Sequence, residues 1–363
     1  MKIALAHDHL NQIGGAERVV FAMHQVWKDA PLHTILYDRN KIGDFFNSLE
    51  IKTSLVQKLP FSASKLRWYL FIIPFAMGKF DFSGYDAVIS SASAFGKYVK
   101  VPRGCVHFCY CHTPTRYLWS EPSTYIDEVG GNFLIKKTWP FVLEYLRKQD
   151  LVASEKVDYF IANSKFVAER IKLYYKRDSN VIYPPVCTTG YPKEKKQNYF
   201  VMVSRLRPYK KIDIAINAFN RIRAKLVIIG SGEDLGRLKS IAGKNIFFAG
   251  NVSEKKKKKI LSGAAGFIHP QIEDFGISAV EAMAAGTPVA AYNLGGANET
   301  VLDKKTGLFF EEQTWQCLAD CVIKMRKMDF DYSFIKSHAE NFSREKFMSN
   351  IKSFVENRID KKE

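Results

Sequence analysis

Short, continuous apolar runs recur along the chain and alternate with segments of helical periodicity. Unbroken runs of this kind are typical of parallel strands that are buried on both faces. In chain order they are Lys2–Ala6, Ala87–Ser90, Val106–Cys109, Tyr159–Ala162, Val181–Tyr183, Phe200–Ser204, Lys225–Ile229, Asn245–Phe248, Gly266–Ile268, Pro288–Tyr292 and Gly307–Phe310. The helical patterns include Lys211–Arg223, Glu233–Ala242, Ser253–Gly263 and Gly276–Ala285. Repetition of this β–α unit predicts an α/β protein with doubly wound parallel sheets.

The domain organisation follows from length and from one change in composition. A chain of 363 residues is longer than one hydrophobic core usually serves, so we expect two domains. The stretch Tyr183–Gln197 is rich in Pro and Lys, which is typical of a linker. We therefore predict a Rossmann-like domain over residues 1–186 and a second over residues 198–342. A helix at about 343–360 follows, and we expect it to pack back on the first domain.

The net charge limits the classes of partner. Lys and Arg number 54 and Asp and Glu number 37, which gives a formal net charge of +17. Such an excess favours an anionic partner: a nucleic acid, an acidic membrane surface or a phosphorylated substrate. We recognise no helix-turn-helix, zinc-finger or aromatic RNA-binding motif, which disfavours nucleic acid. Six cysteines in a chain of this length do not indicate a disulfide scaffold, and we expect reduced thiols.

The longest apolar stretch, Trp68–Met77, is interrupted by Pro74 and is too short for a spanning helix, which needs about 20 residues. The first strand is likewise too short for a signal-peptide core, so we expect a cytoplasmic protein. Basic residues flank the aromatic stretch, and it contains no acid, which favours contact with an anionic membrane surface. A core helix or a face between domains has the same composition, so both interpretations stay open. The membrane-contact candidates are Lys65, Arg67, Trp68, Phe71 and Lys79.

Two glycine-rich or basic turns are candidate phosphate sites. Gly14–Glu17 opens a helix after the first strand, where backbone N–H groups attract phosphate. It lacks the G-x-G-x-x-G pattern of dinucleotide sites, and a plain tight turn explains it nearly as well. Ser204–Lys211 places several cations between a strand and a helix, where Arg205 and Lys210 suit a diphosphate. A solvated basic loop is the alternative.

A third motif joins carboxylates to a helix start. Glu273 lies on a loop, Gly276 opens a helix, and Glu281 sits inside that helix. Carboxylates accept hydrogen bonds from sugar hydroxyls, and the free N–H groups of residues 275–278 can bind a phosphate. The motif therefore indicates an elongated ligand that carries both groups.

With these motifs the chain resembles the retaining GT-B glycosyltransferases of family four, whose signature is E-x7-E. The resemblance extends over nearly the whole chain. Within the family, the motifs are similar to those of the mannosyltransferases of O-antigen and surface polysaccharide assembly. Its further motifs are His7–Leu10 with Gly14–Val19, Tyr110–Pro114 with Arg116–Trp119, Glu273–Ile277, and Ala291–Tyr292 with Gly295–Val301. It implies a GT-B fold, in which two Rossmann-like domains face each other across a cleft.

The resemblance also assigns site residues. It implies that His112 and Glu273 are catalytic, with Glu273 on the donor sugar and Glu281 on the ribose. The implied donor-binding set is Gly15, Arg205, Lys210, Val252, Phe275, Gly276, Ile277 and Glu281. The chain departs from the family pattern at Lys211, where Gly is common after the clamp lysine, and at Asp274, where Gly is commoner.

The implied reaction is transfer of a hexose, with mannose from GDP-mannose as the expected donor, to a lipid-linked or saccharide acceptor at the inner face of the membrane. The resemblance implies no cofactor and no obligatory metal, and we do not expect His7-Asp8-His9 to bind one. A UDP-sugar donor, a nucleotide-sugar epimerase and a basic nucleic-acid-binding protein are the alternatives. The run Glu254–Lys259 is interpreted as a solvated helix face.

Overall fold

The computed structural model describes residues 1–47, 49–64, 66–120 and 133–359, with the backbone alone at 67 and 133–138. The chain divides into two compact units. The first comprises Met1–Pro185 and Phe347–Glu363, and the second comprises Val186–Lys346. Each unit is built on one parallel sheet, which confirms the predicted α/β class.

The first unit has a seven-stranded sheet in the order β3-β2-β1-β4-β5-β6-β7. Its strands are β1 Ile3–His7, β2 Leu32–Thr34, β3 Ile51–Thr53, β4 Ala87–Ala92, β5 Val106–Cys111, β6 Tyr159–Ala162 and β7 Ser179–Val181. Every residue of the three central strands is buried, as the continuous apolar runs predict. Strand order reverses between β1 and β4, so the carboxyl ends of these strands form the usual ligand position of an open α/β sheet.

Helices cover the first sheet on both faces. They are α1 Gly15–Val26, α2 Arg39–Ile42, α3 Ile73–Met77, α4 Arg116–Trp119, α5 Phe133–Glu155 and α6 Lys165–Tyr175. The C-terminal helix Arg344–Ile359 also belongs here, because Phe347, Ile351 and Val355 are buried in the same cluster as Leu5. Their spacing of four residues places them on one helix face. The last helix therefore completes the core of the first unit.

The second unit has a six-stranded sheet in the order β10-β9-β8-β11-β12-β13. Its strands are β8 Gln197–Val203, β9 Lys225–Ile229, β10 Ile246–Gly250, β11 Ala264–His269, β12 Val289–Tyr292 and β13 Gly307–Phe310. Its helices are α7 Ile212–Ile222, α8 Leu235–Ile241, α9 Glu254–Gly263, α10 Ile277–Ala284, α11 Ala297–Thr300, α12 Trp315–Met325 and α13 Tyr332–Ala339. Here the order reverses between β8 and β11, the two strands that precede the predicted phosphate and sugar motifs.

The aromatic stretch of the first unit divides between core and surface. Leu70, Ile73 and Met77 are buried, whereas Trp68 and Phe71 are 59% and 58% exposed. Of the membrane-contact candidates, Lys65 and the side chain of Arg67 lie outside the described residues. Within the described ranges, no helix has both the length and the apolar composition needed to cross a membrane.

Candidate functional site

Glu273 lies at the switch point of the second sheet, on the loop between β11 and α10. Lys210, at the end of the turn after β8, donates a hydrogen bond from Nζ to Glu273 Oε1. Gln271 Nε2 donates to the same oxygen at 3.2 Å. The side chains of Lys210 and Glu273 are 13% and 22% exposed, so the pair is shielded from water but reachable. The structure thus brings together two residues that the sequence predicts to bind sugar and diphosphate.

Gln271 extends this contact into the interior. Its Nε2 lies 3.3 Å from His269 Nδ1, and His269 is fully buried. Burial lowers the pKa of His269 to about 4, with a smaller opposing effect from Glu273 and a reinforcing one from Lys210. The imidazole is therefore neutral at physiological pH.

Gly276 separates this cluster from helix α10. Its φ of +90° is in the left-handed region, and a Cβ there would lie 3.3 Å from His269 Nε2. Both facts favour glycine at this position. Helix α10 begins at Ile277, so its first N–H groups lie next to the Glu273 loop and can bind an anion.

The β12–α11 turn supports the loop from the other side. Gly296 N–H donates to the Glu273 carbonyl at 2.9 Å. A Cβ on Gly295 would lie 2.6 Å from that carbonyl oxygen, and one on Gly296 would lie 2.4 Å from Phe275 Cα. The two glycines of this motif therefore permit the backbone to pack against the Glu273–Phe275 loop.

Glu281, inside α10, is buried and paired. Both of its carboxylate oxygens accept hydrogen bonds from Lys257 Nζ at 3.0 Å. Lys257 also lies 3.0 Å from Glu254. The interpretation of Glu254–Lys259 as a solvated face is therefore wrong for one residue, because Lys257 is 8% exposed. A sequence signal for this was available. Ser253 caps α9 and fixes its start, and Lys257 lies four residues before Leu261, so the two side chains share the buried face of the helix.

The remaining donor-site candidates lie around these contacts. Arg205 is exposed after β8, and Val252 is half-buried after β10. Phe275 is buried against Phe342, with ring centroids 5.7 Å apart. Ile277 is half-buried at the start of α10. Among the described contacts, none joins Arg205 or Val252 to the Glu273 cluster.

Lys211, which stands where the family commonly has glycine, has a φ of +53°. This left-handed backbone explains the family's preference, because only glycine adopts it without steric cost.

In the first unit, His112 follows β5 and is half-buried. Its Nε2 lies 2.8 Å from Ser91 Oγ, and its carbonyl accepts a hydrogen bond from Asn163 Nδ2 at 2.9 Å. Burial lowers the pKa of His112 to about 4. Gly15 is the first residue of α1, and the preceding Gly14 N–H donates to Glu17 Oε2 at 2.7 Å.

Asp8 is held entirely by backbone. Its two oxygens accept hydrogen bonds of 2.5–3.0 Å from the successive N–H groups of residues 93–96. The carboxylate is thus committed to the loop after β4. Across the described part of the chain, no group of three or more His, Cys, Asp or Glu side chains is arranged to hold a metal ion.

The fold and these residues define a GT-B glycosyltransferase: two parallel-sheet units, with the E-x7-E carboxylates at the switch point of the second. Two family profiles match consecutive parts of the chain. "Glycosyltransferase Family 4" matches residues 13–189, and "Glycosyl transferases group 1" matches residues 189–345. The chain belongs to glycosyltransferase family four.

Relatives and a solved structure agree with this assignment. The chain is 26% identical over 290 residues to the "Alpha-1,3/1,6-mannosyltransferase ALG2" of Dictyostelium discoideum, covering 66% of this chain and 65% of that protein. It is 35% identical over 143 residues to the "GDP-mannose-dependent alpha-(1-6)-phosphatidylinositol monomannoside mannosyltransferase" of Mycobacterium tuberculosis, covering 34% and 37%. The crystal structure of Anabaena HepE in complex with UDP superposes with a TM-score of 0.72 at 17% identity, covering 98% and 100%. At that identity the likeness supports the fold alone.

Proposed function

We propose that this chain is a retaining, metal-independent glycosyltransferase that moves mannose from GDP-mannose to a lipid-linked or saccharide acceptor. The observation that carries the proposal is the contact between Lys210 and Glu273 at the β8–β11 switch point. One group suits a diphosphate and the other suits sugar hydroxyls, so each can exchange its partner for part of one nucleotide sugar. Glu281, oriented by Lys257, is the acceptor for the ribose hydroxyls.

The mechanism must stabilise the charge that develops on the departing nucleoside diphosphate. In the proposed complex, Lys210 and Arg205 bind the phosphates, and the first N–H groups of α10 add the positive end of the helix dipole. No side chain is assigned as a nucleophile. Retention then follows from attack on the same face that the leaving group departs from, with a phosphate oxygen taking the acceptor's proton. His112 contacts a substrate oxygen.

The donor and acceptor rest on the named relatives. The mycobacterial relative is named for GDP-mannose and for phosphatidylinositol monomannoside, and the Dictyostelium relative is named as a mannosyltransferase. GDP-mannose and a lipid-linked acceptor are therefore the first substrates to test. The proposed acceptor is a lipid-linked or free saccharide of surface polysaccharide or glycolipid synthesis.

We also propose that the enzyme binds the inner face of an anionic membrane, where a lipid-linked acceptor would lie. The contact face comprises Trp68, Phe71 and Phe75, which are 58–60% exposed. Lys79 Nζ lies 4.9 Å above the Phe75 ring, so a cation accompanies the aromatics. Aromatic rings at the acyl boundary with lysines near lipid phosphates are typical of interfacial segments.

A thermal-shift panel of nucleotide sugars tests the donor. A ligand at 100 times its Kd stabilises by about 2.7 kcal/mol, which gives a measurable rise in Tm. We expect GDP-mannose to give the largest rise, larger than GDP alone, and Glu273→Gln to reduce the difference between them. A larger rise with a UDP-sugar would assign the alternative donor. No rise with any nucleotide sugar would contradict the proposed function.

A further inference from the structure

Four polar side chains lie in succession across the switch point of the first sheet, an ion pair followed by hydrogen bonds. Glu17 Oε1 lies 3.8 Å from His7 Nε2. His7 Nδ1 lies 3.1 Å from the Ser91 carbonyl oxygen and 3.2 Å from Ser91 Oγ. Ser91 Oγ in turn lies 2.8 Å from His112 Nε2. Glu17, His7 and Ser91 are all at most 3% exposed, so this chain runs through the protein interior.

The acceptors around His7 fix its protons. The Ser91 carbonyl can only accept, so His7 Nδ1 carries hydrogen, and Nε2 faces the carboxylate of Glu17. A doubly protonated ring satisfies both sides. Burial opposes this charge, but the carboxylate of Glu17, 3.8 Å away, raises the pKa of His7. Nearby Asp8 adds attraction while bound by backbone amides, and burial lowers the pKa of His9, so His9 adds no competing charge.

The same logic continues to His112. The Nδ1 hydrogen of His7 is shared between the Ser91 carbonyl oxygen and Ser91 Oγ, so Oγ cannot donate to His7. Among the described contacts of Oγ, His112 Nε2 is the one that can accept its hydrogen. His112 Nε2 is therefore the acceptor, and the ring proton resides on Nδ1. Burial favours the neutral ring, and the charge of His7 reinforces this by lowering the pKa of His112. The ring is half-buried, and no described residue hydrogen-bonds to Nδ1, which is the nitrogen left for a ligand.

We propose that Glu17, His7 and Ser91 are positioning residues that hold His112 neutral with its proton on Nδ1, so that His112 donates a hydrogen bond to a substrate oxygen. The proposal rests on the proposed function, in which His112 contacts the nucleotide sugar or the acceptor. The ligand atom at Nδ1 is a hydrogen-bond acceptor, a sugar hydroxyl or phosphate oxygen. No proton is transferred, since Nε2 is occupied by Ser91.

Nitrogen NMR of the full chain with ¹⁵N-labelled histidine identifies the tautomer of His112 in the absence of substrate. His112→Asn assigns the His112 signals. At neutral pH we expect Nδ1 to be protonated and Nε2 to have the shift of an unprotonated nitrogen. In Ser91→Ala, which removes the donor to Nε2, we expect a shift toward the Nε2–H form. An imidazolium or an Nε2–H ring in the wild type would overturn the proposal, and so would an unchanged tautomer in Ser91→Ala.

Steady-state kinetics supply a second readout with a matched control. Ser90, the preceding residue of β4, makes the same kind of bond, with Oγ 2.9 Å from the Nε2 of buried His107. We expect Ser91→Ala to lower kcat at least about tenfold with little change in the KM for the nucleotide sugar, the pattern of a contact made in the transition state. Ser90→Ala should retain the wild-type kcat. Equal losses in both variants would indicate a structural role and contradict the proposal.

The two proposals can fail separately. If the wild type transfers no sugar but its His112 has the Nδ1–H form, the proposed function fails and the arrangement of hydrogen bonds stands. If sugar is transferred but the His112 tautomer differs, the function stands and the positioning role fails. The wild-type spectrum decides the tautomer even if Ser91→Ala does not fold.

Discussion

At the residue scale, Glu273 is the side chain on which the proposed chemistry most depends. Glu273→Gln keeps the shape but removes the charge that Lys210 contacts and weakens acceptance from sugar hydroxyls. We expect transfer to fall at least about 100-fold, because a substrate contact made at the reacting sugar is lost. Stability should change by no more than about 1 kcal/mol, since the pair is only partly buried.

Glu311→Gln is the matched control for that variant. Glu311 follows β13 at the same edge of the same sheet and accepts hydrogen bonds from Asn293 at 2.9 Å. Its variant should transfer sugar at the wild-type rate. Turnover of Glu273→Gln equal to that of Glu311→Gln would contradict the assignment of Glu273 to the donor sugar.

Lys257 gives a prediction about stability. It is buried and donates hydrogen bonds to both oxygens of buried Glu281. Lys257→Met would leave that carboxylate buried without its cation, which usually costs about 3–5 kcal/mol. Lys256→Met, on the exposed side of the same helix, should cost less than about 0.5 kcal/mol. Urea unfolding followed by circular dichroism compares the two, and equal midpoints would show that the Lys257–Glu281 bond does not stabilise the unit.

At the element scale, the short helix α3 and the turn before it carry the proposed membrane face. Phe71→Ser with Phe75→Ser removes two exposed rings and leaves buried Ile73 and Met77 in place. Because burying one such ring in an apolar phase contributes about 1.5–3 kcal/mol, we expect partition onto anionic liposomes to fall at least tenfold. The fold should be unaffected, because neither ring belongs to the core.

The control for the membrane face is a pair of exposed rings in the second unit. Phe247 and Phe334 are 47% and 40% exposed, and substituting both with Ser removes a comparable apolar surface. Liposome partition should stay at the wild-type level. An equal decrease in the two double variants would indicate nonspecific adsorption, and no decrease in either would contradict membrane binding through α3.

Elements were predictable from sequence where a local signal marks them. The central strands appear as continuous apolar runs, and caps such as Ser253 mark the helix starts. Strands β2 and β3 were missed because each has three residues, too few for periodicity, and they depend on pairing with β1 and with each other. Strand β7 begins at Ser179 rather than Val181 for the same reason, since the partner strand β6 sets its limits.

The candidate site was predictable only in part. The E-x7-E spacing and the resemblance located Glu273, Glu281 and His112. Ser91 carries no local signal, because a serine in a strand has many uses. For Lys257 the Ser253 cap indicates the buried face, but nothing local identifies Glu281 as its partner. Their roles arise from register: β4 places Ser91 beside the end of β1, and the phase of α9 turns Lys257 inward.

At the scale of the whole molecule, the charge of +17 is distributed over different tasks. Lys210 and Lys257 are engaged with carboxylates that belong to the proposed donor site. Lys97 is fully buried against Asp150, 2.6 Å away, and neutralises that buried carboxylate. The large exposed remainder supplies a positive field that favours the approach of anions.

The pH dependence of stability also belongs to the whole molecule. Two groups, His7 and Glu17, affect stability outside the range from pH 6.5 to 4.5. The pKa of His7 is raised, so its contribution is complete below the unfolded value of about 6.5 and is lost as pH rises through the folded value. Burial opposes the ionisation of Glu17, but the charge of His7, 3.8 Å away, lowers the pKa of Glu17 to about 2. That contribution is present above about pH 4.5 and is lost between 4.5 and 2.

Between pH 6.5 and 4.5, buried neutral histidines determine how steeply the free energy of unfolding changes with pH. Burial lowers the pKa of His33, His107 and His269 to about 4, so the unfolded chain binds more protons between pH 6.5 and 4. Stability should fall as pH decreases from 6.5 to 4.5, by up to about 1.4 kcal/mol per pH unit for each ring. Urea midpoints at several pH values measure this slope. His107→Gln should lower stability at pH 7.5. It should also reduce the slope of the unfolding free energy against pH by the contribution of about one proton, because the buried ring that titrates is gone. An unchanged slope in that variant, or wild-type stability that rises toward pH 5, would contradict the assignment of neutral buried histidines.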